Sequence, residues 1–217
     1  MKHIIKDVEP DVLTGYKLNS TNPSYINFCK KSQRKLNLND ALLDEQGYLC
    51  CYCMGEINSE NMQIEHWKPQ SKYPKLDLDY NNLFACCEGN KHNPKRKKGS
   101  ENIHCDSKKS SLELTINPLN KDCETETSYF GDGTINAKNS VYNKDINDYL
   151  NLNYENLKRN RKSAWIKVLS NLTKNRVKNN EINKLINVFS EKNKDGKYHP
   201  YCQIIVFFLK KRQVAGT

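Results

Sequence analysis

Six of the nine cysteines, Cys50, Cys51, Cys53, Cys86, Cys87 and Cys105, fall within one 56-residue stretch, and this crowding constrains the fold more than any other feature. Two thiolates spaced as in Cys50-x-x-Cys53 fit two corners of a zinc tetrahedron when they sit on a tight turn. The first residues, Met1 to Asp7, lack the apolar stretch of a secretory signal. The longest apolar run, Ile204 to Leu209, is far too short to cross a bilayer. The expectation is therefore a cytoplasmic protein with no membrane span. In reducing cytosol, clustered cysteines hold metal more often than they form disulfides. Cys87 and Cys105 are the natural second ligand pair, with Cys86 as the alternative to Cys87. A redox dithiol shares the C-x-x-C spacing, but the βαβ context it needs is not legible here. Cys29, Cys123 and Cys202 are scattered and receive no assignment.

At 217 residues the chain is long enough for one domain, or one domain with a helical extension. We divide it into an N-terminal arm (1–38), a central core with a basic insertion and a hairpin (39–145), and a C-terminal helical region (146–217). Asn39 or Asp40 reads as the cap of a short helix that stops at Gly47. Residues 48–70 read as a hairpin, Tyr48 to Tyr52 and Met62 to Trp67, and Asn82-Leu83-Phe84-Ala85 as a helical turn. Ser128 to Ile135 reads as a second hairpin, turning at Asp132-Gly133. Farther on, Tyr154, Leu157, Trp165, Val168 and Leu172 recur at helical spacing, giving one apolar face of a long helix. A second helix is expected over Glu181 to Glu191, and the run 204–209 as a third element packed on both.

The formal charge of +10 favours a polyanionic partner, nucleic acid first. AT-rich coding also inflates Lys and Asn, so charge alone assigns nothing. The insertion Glu88 to Asn102 carries Lys91, Lys95, Arg96, Lys97 and Lys98. These are the candidate phosphate contacts, and a solvated basic loop is the plainer alternative.

Between the cysteine pairs lies Ile64-Glu65-His66-Trp67-Lys68-Pro69-Gln70-Ser71. The carboxylate can bind a hard cation such as Mg²⁺ through oxygen. The adjacent imidazole, titrating near neutrality, can take a proton from water. Alone, a Glu-His pair at a strand end is ordinary surface decoration. Its meaning comes from order and spacing.

Cys50-x-x-Cys53, then Glu65-His66-x-x-Pro69-x-Ser71, then Asn82-Leu83-x-x-x-Cys87, then Cys105-Asp106-x-x-Lys109 resembles the HNH (ββα-metal) endonuclease pattern. The resemblance implies an α+β fold: a zinc-stapled ββα-metal core with flanking helices and a C-terminal helical region. It implies His66 as general base, Glu65 and Asp106 as ligands of a catalytic Mg²⁺ or Mn²⁺, and Asn82 as the residue that holds the base's loop. It implies a structural Zn²⁺ on Cys50, Cys53, Cys87 and Cys105. The sequence departs from the pattern twice. Seventeen residues separate Cys87 from Cys105, where the family has about two, and Asp106 stands where Asn or His is usual. The insertion also leaves His92 and His104 as rival ligands.

A narrower resemblance accounts for those departures. Leu49-Cys50-x-Tyr52-Cys53, Ile64-Glu65-His66-x-x-Pro69, His104-Cys105-Asp106-x-x-Lys109 and Ile116-Asn117-Pro118-Leu119 look like the HNH subunits of Septu antiphage systems and some retron systems. That implies a nuclease effector acting on nucleic acid, DNA first, beside an ABC-type ATPase. The match covers roughly residues 40–135, and the C-terminal helices carry no matched motif. The rival reading is a non-catalytic zinc module that binds nucleic acid or protein. It explains the cysteines and the charge but not the placing of Glu65, His66 and Asn82.

Overall fold

A computed structural model describes residues 1–94, 99–174 and 179–215. Helices α1 (Asp11–Asn19), α2 (Tyr25–Cys29) and α3 (Ser32–Gln46) come first. Helix α3 begins well before the expected cap. Ser32 to Leu38 contains good helix formers and no breaker, so Asn39 lies inside the helix and is buried. It stops at Gly47, which adopts φ +57°. A Cβ there would collide with the Tyr198 ring, so the stop needs glycine for both conformation and space.

The chain then folds into a knuckle rather than the first strand of a hairpin. One antiparallel bridge, Leu49 to Glu56, closes it. Met54 takes φ +62°, and the Met54 N–H donates to the Cys50 carbonyl at 3.1 Å. Strand β1 (Met62–His66) pairs instead with β2 (Leu83–Cys87), antiparallel, with Glu65 opposite Phe84 and His66 opposite Leu83. Of the expected helical turn at Asn82 to Ala85, only Asn82 is helical, ending a 3₁₀ turn, and the rest is strand. Leu83, Phe84, Ala85 and Cys86 are all fully buried. A short run that is apolar on both faces carries no period to separate strand from helix.

Helix α4 (Cys105–Lys109) follows the insertion and packs on β2. Next come α5 (Asp122–Thr125) and the hairpin β3 (Thr127–Tyr129) and β4 (Ile135–Ala137), turning at Asp132-Gly133 as expected. Helix α6 (Ser140–Lys144) leads to the long helix α7 (Glu155–Lys174), then α8 (Asn179–Ser190) and α9 (Cys202–Ala215). Helix α7 buries Leu157, Trp165, Val168 and Leu172, and Trp165 stacks on Phe208 of α9 at 4.8 Å. It also buries Arg161, whose guanidinium donates to the Gly133 and Leu152 carbonyls at 2.6 and 2.7 Å. That clamp ties α7 to the β3–β4 turn.

The segment leading into α9 sits on the knuckle. The Tyr198 N–H donates to the Gly47 carbonyl at 3.0 Å and the Tyr201 N–H to the Met54 carbonyl at 2.9 Å. At the other end of the chain, the Lys6 ammonium meets the Glu45 carboxylate at 2.8 Å and locks the first residues onto α3. Among the described residues no helix is long and apolar enough to cross a membrane.

Candidate functional site

The knuckle, the end of β2 and the start of α4 bring their cysteines together. The Cys50 sulfur lies 3.6 Å from that of Cys86 and 3.9 Å from that of Cys105, and the Cys53 sulfur lies 3.8 Å from that of Cys87. Four thiolates on one zinc, each at 2.3 Å, would sit roughly 3.8 Å apart, so this donor set fits the ion. Two overlapping foursomes have the required spacing: Cys50, Cys86, Cys87 and Cys105, and Cys53, Cys87, His104 and Cys105. Both contain Cys87 and Cys105. The expected set Cys50, Cys53, Cys87 and Cys105 draws on both, with Cys86 and His104 as further donors. The His104 Nδ1 is 3.1 Å from the Cys105 sulfur, whereas His92 is exposed. Burial pushes the Cys86 and Cys105 thiols up. At Cys50 the same burial is outweighed by hydrogen bonds from Cys105, Cys51, Cys53 and Cys86, which hold its thiol well below the usual range.

On the other side of α4 lies a cleft of ≈ 320 Å³ lined by Glu65, His66, Gln70, Ser71 and Asp106. Glu65 and His66 end β1, and Asp106 follows Cys105 directly. Glu65 is 3 % exposed. Its Oε1 accepts from the Tyr52 hydroxyl at 2.7 Å and meets the Lys109 ammonium at 2.6 Å. Asp106 accepts from the Gln63 side chain through Oδ2. Each carboxyl is therefore anchored from its own side, and the two also hydrogen-bond to each other. Burial pushes the Glu65 carboxyl well above its usual range, and facing Asp106 adds to the rise. Two anions sharing a cleft in this way favour a bound cation.

The imidazole of His66 is fixed on two sides. Tyr25 packs edge-on at 4.5 Å between ring centres, and Nε2 lies 3.0 Å from the Asp77 carbonyl oxygen. A carbonyl only accepts, so Nε2 carries the proton and Nδ1 is left as the basic nitrogen. Burial holds the His66 pKa below the ordinary imidazole value.

Asn82 ends the 3₁₀ turn before β2 and staples the loop after His66. Its Oδ1 accepts from the Lys68 N–H at 2.7 Å, and its Nδ2 donates to the Lys68 and Leu76 carbonyls at 3.1 and 3.0 Å. Trp67 is a packing residue whose indole donates to the Ile116 carbonyl at 3.0 Å. Lys91 is exposed, while Lys95, Arg96, Lys97 and Lys98 lie outside the described residues. Sequence reasoning missed the parts played by Tyr52, Gln63, Asp77 and Lys109. Tyr52 and Lys109 stand inside the quoted motifs, and the spacing from Asp106 to Lys109 is one helical turn, which was the available signal.

No family model matches the chain. It is 31% identical over 122 residues to a protein of Escherichia coli named as the HNH endonuclease of retron Ec83, covering 52% of this chain and 47% of that protein. It is 30% identical over 132 residues to the corresponding retron Vc95 protein of Vibrio cholerae serotype O1 biovar El Tor, covering 57% and 60%. It is 35% identical over 80 residues to Septu protein PtuB of Bacillus thuringiensis, covering 36% and 27%. The matched stretch is about half the length of the retron relatives and about a quarter of PtuB.

Proposed function

Because the chain is a relative of the HNH endonucleases of retrons Ec83 and Vc95 and of Septu PtuB, we propose that it is a metal-dependent endonuclease that hydrolyses phosphodiester bonds in nucleic acid, with DNA as the first substrate to test. One observation carries this reading. Glu65 and His66 on β1 and Asp106 on α4 line the same cleft, and the two carboxyls face each other within hydrogen-bonding reach.

In this reading Glu65 and Asp106 hold Mg²⁺ or Mn²⁺, and the bound ion supplies Lewis-acid neutralisation of charge on the scissile phosphate. His66 is the general base. Its Nε2–H is committed to Asp77, and Nδ1 takes the proton from the attacking water. Asn82 keeps the 66–68 segment, and with it the imidazole, at a fixed angle to the cleft. Cys50, Cys53, Cys87 and Cys105 hold a structural Zn²⁺, which has no open position for chemistry. It substitutes for a hydrophobic core in a motif too small to build one. Lys91 with Lys95, Arg96, Lys97 and Lys98 contacts phosphates. The relationship to Septu and retron proteins supports a role as nuclease effector in antiphage defence, working with an ABC-type ATPase through its C-terminal helices.

The test is a supercoiled-plasmid nicking assay with Mg²⁺ or Mn²⁺, run on the chain alone and on its complex with any ATPase encoded beside it. The expected result is metal-dependent nicking that EDTA stops. No nicking in either form, with zinc bound and the fold intact, would return the chain to a non-catalytic zinc module.

A further inference from the structure

Lysine is rarely buried completely, yet Lys109 is 1 % exposed. Its ammonium lies 2.6 Å from Glu65 Oε1 and donates to the His66 main-chain carbonyl at 2.9 Å. It thus grips two consecutive residues of β1, the candidate metal-holding carboxylate and the candidate base, from a different element. Helix α4 is only Cys105–Lys109, so the same turn delivers Cys105 to the sulfur cluster, Asp106 to the cleft and Lys109 to β1. Residues three apart on a helix are neighbours on its surface, which ties the place of Asp106 to the grip of Lys109. The Tyr52 hydroxyl, between Cys51 and Cys53 on the knuckle, reaches the same Oε1 at 2.7 Å. The Glu65 carboxyl also hydrogen-bonds with the Asp106 side chain.

We propose that Lys109, assisted by Tyr52, is a positioning residue: by anchoring Glu65 through Oε1 and His66 through its carbonyl, it turns Glu65 Oε2 toward Asp106 and fixes the separation of the two carboxylates that take the divalent cation. The proposal rests on the reading of Glu65 and Asp106 given above. Loss of a buried ammonium that served stability alone would lower melting, because Glu65 would be left buried without its partner, but would leave Mn²⁺ affinity in the folded protein unchanged. Loss of a positioning ammonium would lower that affinity as well.

Mn²⁺ binding to the full zinc-loaded chain, followed by electron paramagnetic resonance without nucleic acid, separates these cases. Lys109→Met should weaken Mn²⁺ binding about 10- to 100-fold, the range for residues that orient metal ligands, with zinc content unchanged and melting lowered but still cooperative. In nicking assays the defect should appear mainly in the metal concentration needed for half-maximal rate and be relieved by excess Mn²⁺. Lys109→Arg should recover part of the affinity. Wild-type Mn²⁺ affinity in Lys109→Met overturns the proposal. Should that variant lose zinc or fail to fold, Tyr52→Phe decides: weaker Mn²⁺ binding with zinc retained supports anchoring on Oε1, and unchanged binding overturns it. If the wild-type chain neither binds Mn²⁺ nor cuts, the reading of the cleft fails and this inference falls with it. If wild type binds and cuts and the variants match it, only this inference fails.

Discussion

The two faces of helix α4 pose opposite chemical problems. On one side stand sulfurs and an imidazole, buried and spaced 3.6 to 3.9 Å apart where measured between sulfurs, offering soft donors on several sides. On the other stand two carboxyls beside an imidazole in an open cleft, each anchored from its own side. A closed set of donors fits an ion that stays. An incomplete set of hard donors fits an ion that shares its coordination with water and substrate. The difference teaches that neighbours in sequence, Cys105 and Asp106, enter separate surroundings: one joins the sulfur cluster and the other lines the cleft.

That contrast is most strongly tested by removing the frame. Cys105→Ser, or stripping zinc with a chelator, should collapse the β1–β2 and α4 region and abolish nicking. Metal analysis with circular dichroism reads this, and a Cys105→Ser protein that melts like wild type would erase the distinction between the faces. His66→Ala should leave zinc content unchanged and the fold intact while lowering the nicking rate by about 10²- to 10⁴-fold, the usual size of a general-base contribution. Cutting that persists at the wild-type rate would remove His66 from the mechanism.

Asn82→Ala lies between these extremes. It strips three hydrogen bonds from the loop behind His66. A base shifted by that loosening should cost about 10²-fold in rate. Stability should fall by about 1–3 kcal/mol, measured by urea titration, because half-buried main-chain groups of Lys68 and Leu76 lose their partners. An inert Asn82→Ala would show that the loop holds itself.

The next test uses pH. Burial keeps His66 below the ordinary imidazole value, so the unprotonated base persists to lower pH than a free imidazole would allow. Activity should therefore be full at neutrality and fall only as pH drops through that lowered value, placing the acid limb of the rate–pH profile below about 6.5. An acid limb above that point would contradict the burial seen here. The smallest effect belongs to Lys91→Ala, which should weaken DNA binding modestly across all sequences and reduce the log–log salt slope by about 1.

How far the amino-acid sequence alone revealed these faces depended on the kind of residue. Glu65-His66, Asn82 and Asp106 were legible because their order along the chain resembles the HNH pattern, and the fold brings three of them to one cleft with Asn82 just behind. The cysteines stood out by their crowding, although Cys86 and His104 joining the cluster leaves the choice of four donors to the metal. Strand β2 was misread because Leu83 to Cys86 are apolar on both faces and carry no periodicity. The start of α3 was misplaced because Asn39, a residue that prefers caps, is buried inside a helix. Lys109 and Tyr52 were quoted without a role. A lysine in a basic chain looks like surface, and only the packing of α4 against β1 buries it. The buried Arg161 carries no sequence signal of its own, since its burial depends on the β3–β4 turn that its guanidinium meets.

The direct succession of Cys105 and Asp106 makes the cleft vulnerable from behind. A thiophilic poison such as cadmium or mercury, larger than zinc and bonded to sulfur at greater length, would shift Cys105 and carry the next residue with it. On the proposed reading, nicking should then be lost although the intruding ion never enters the cleft, and should return when zinc replaces it.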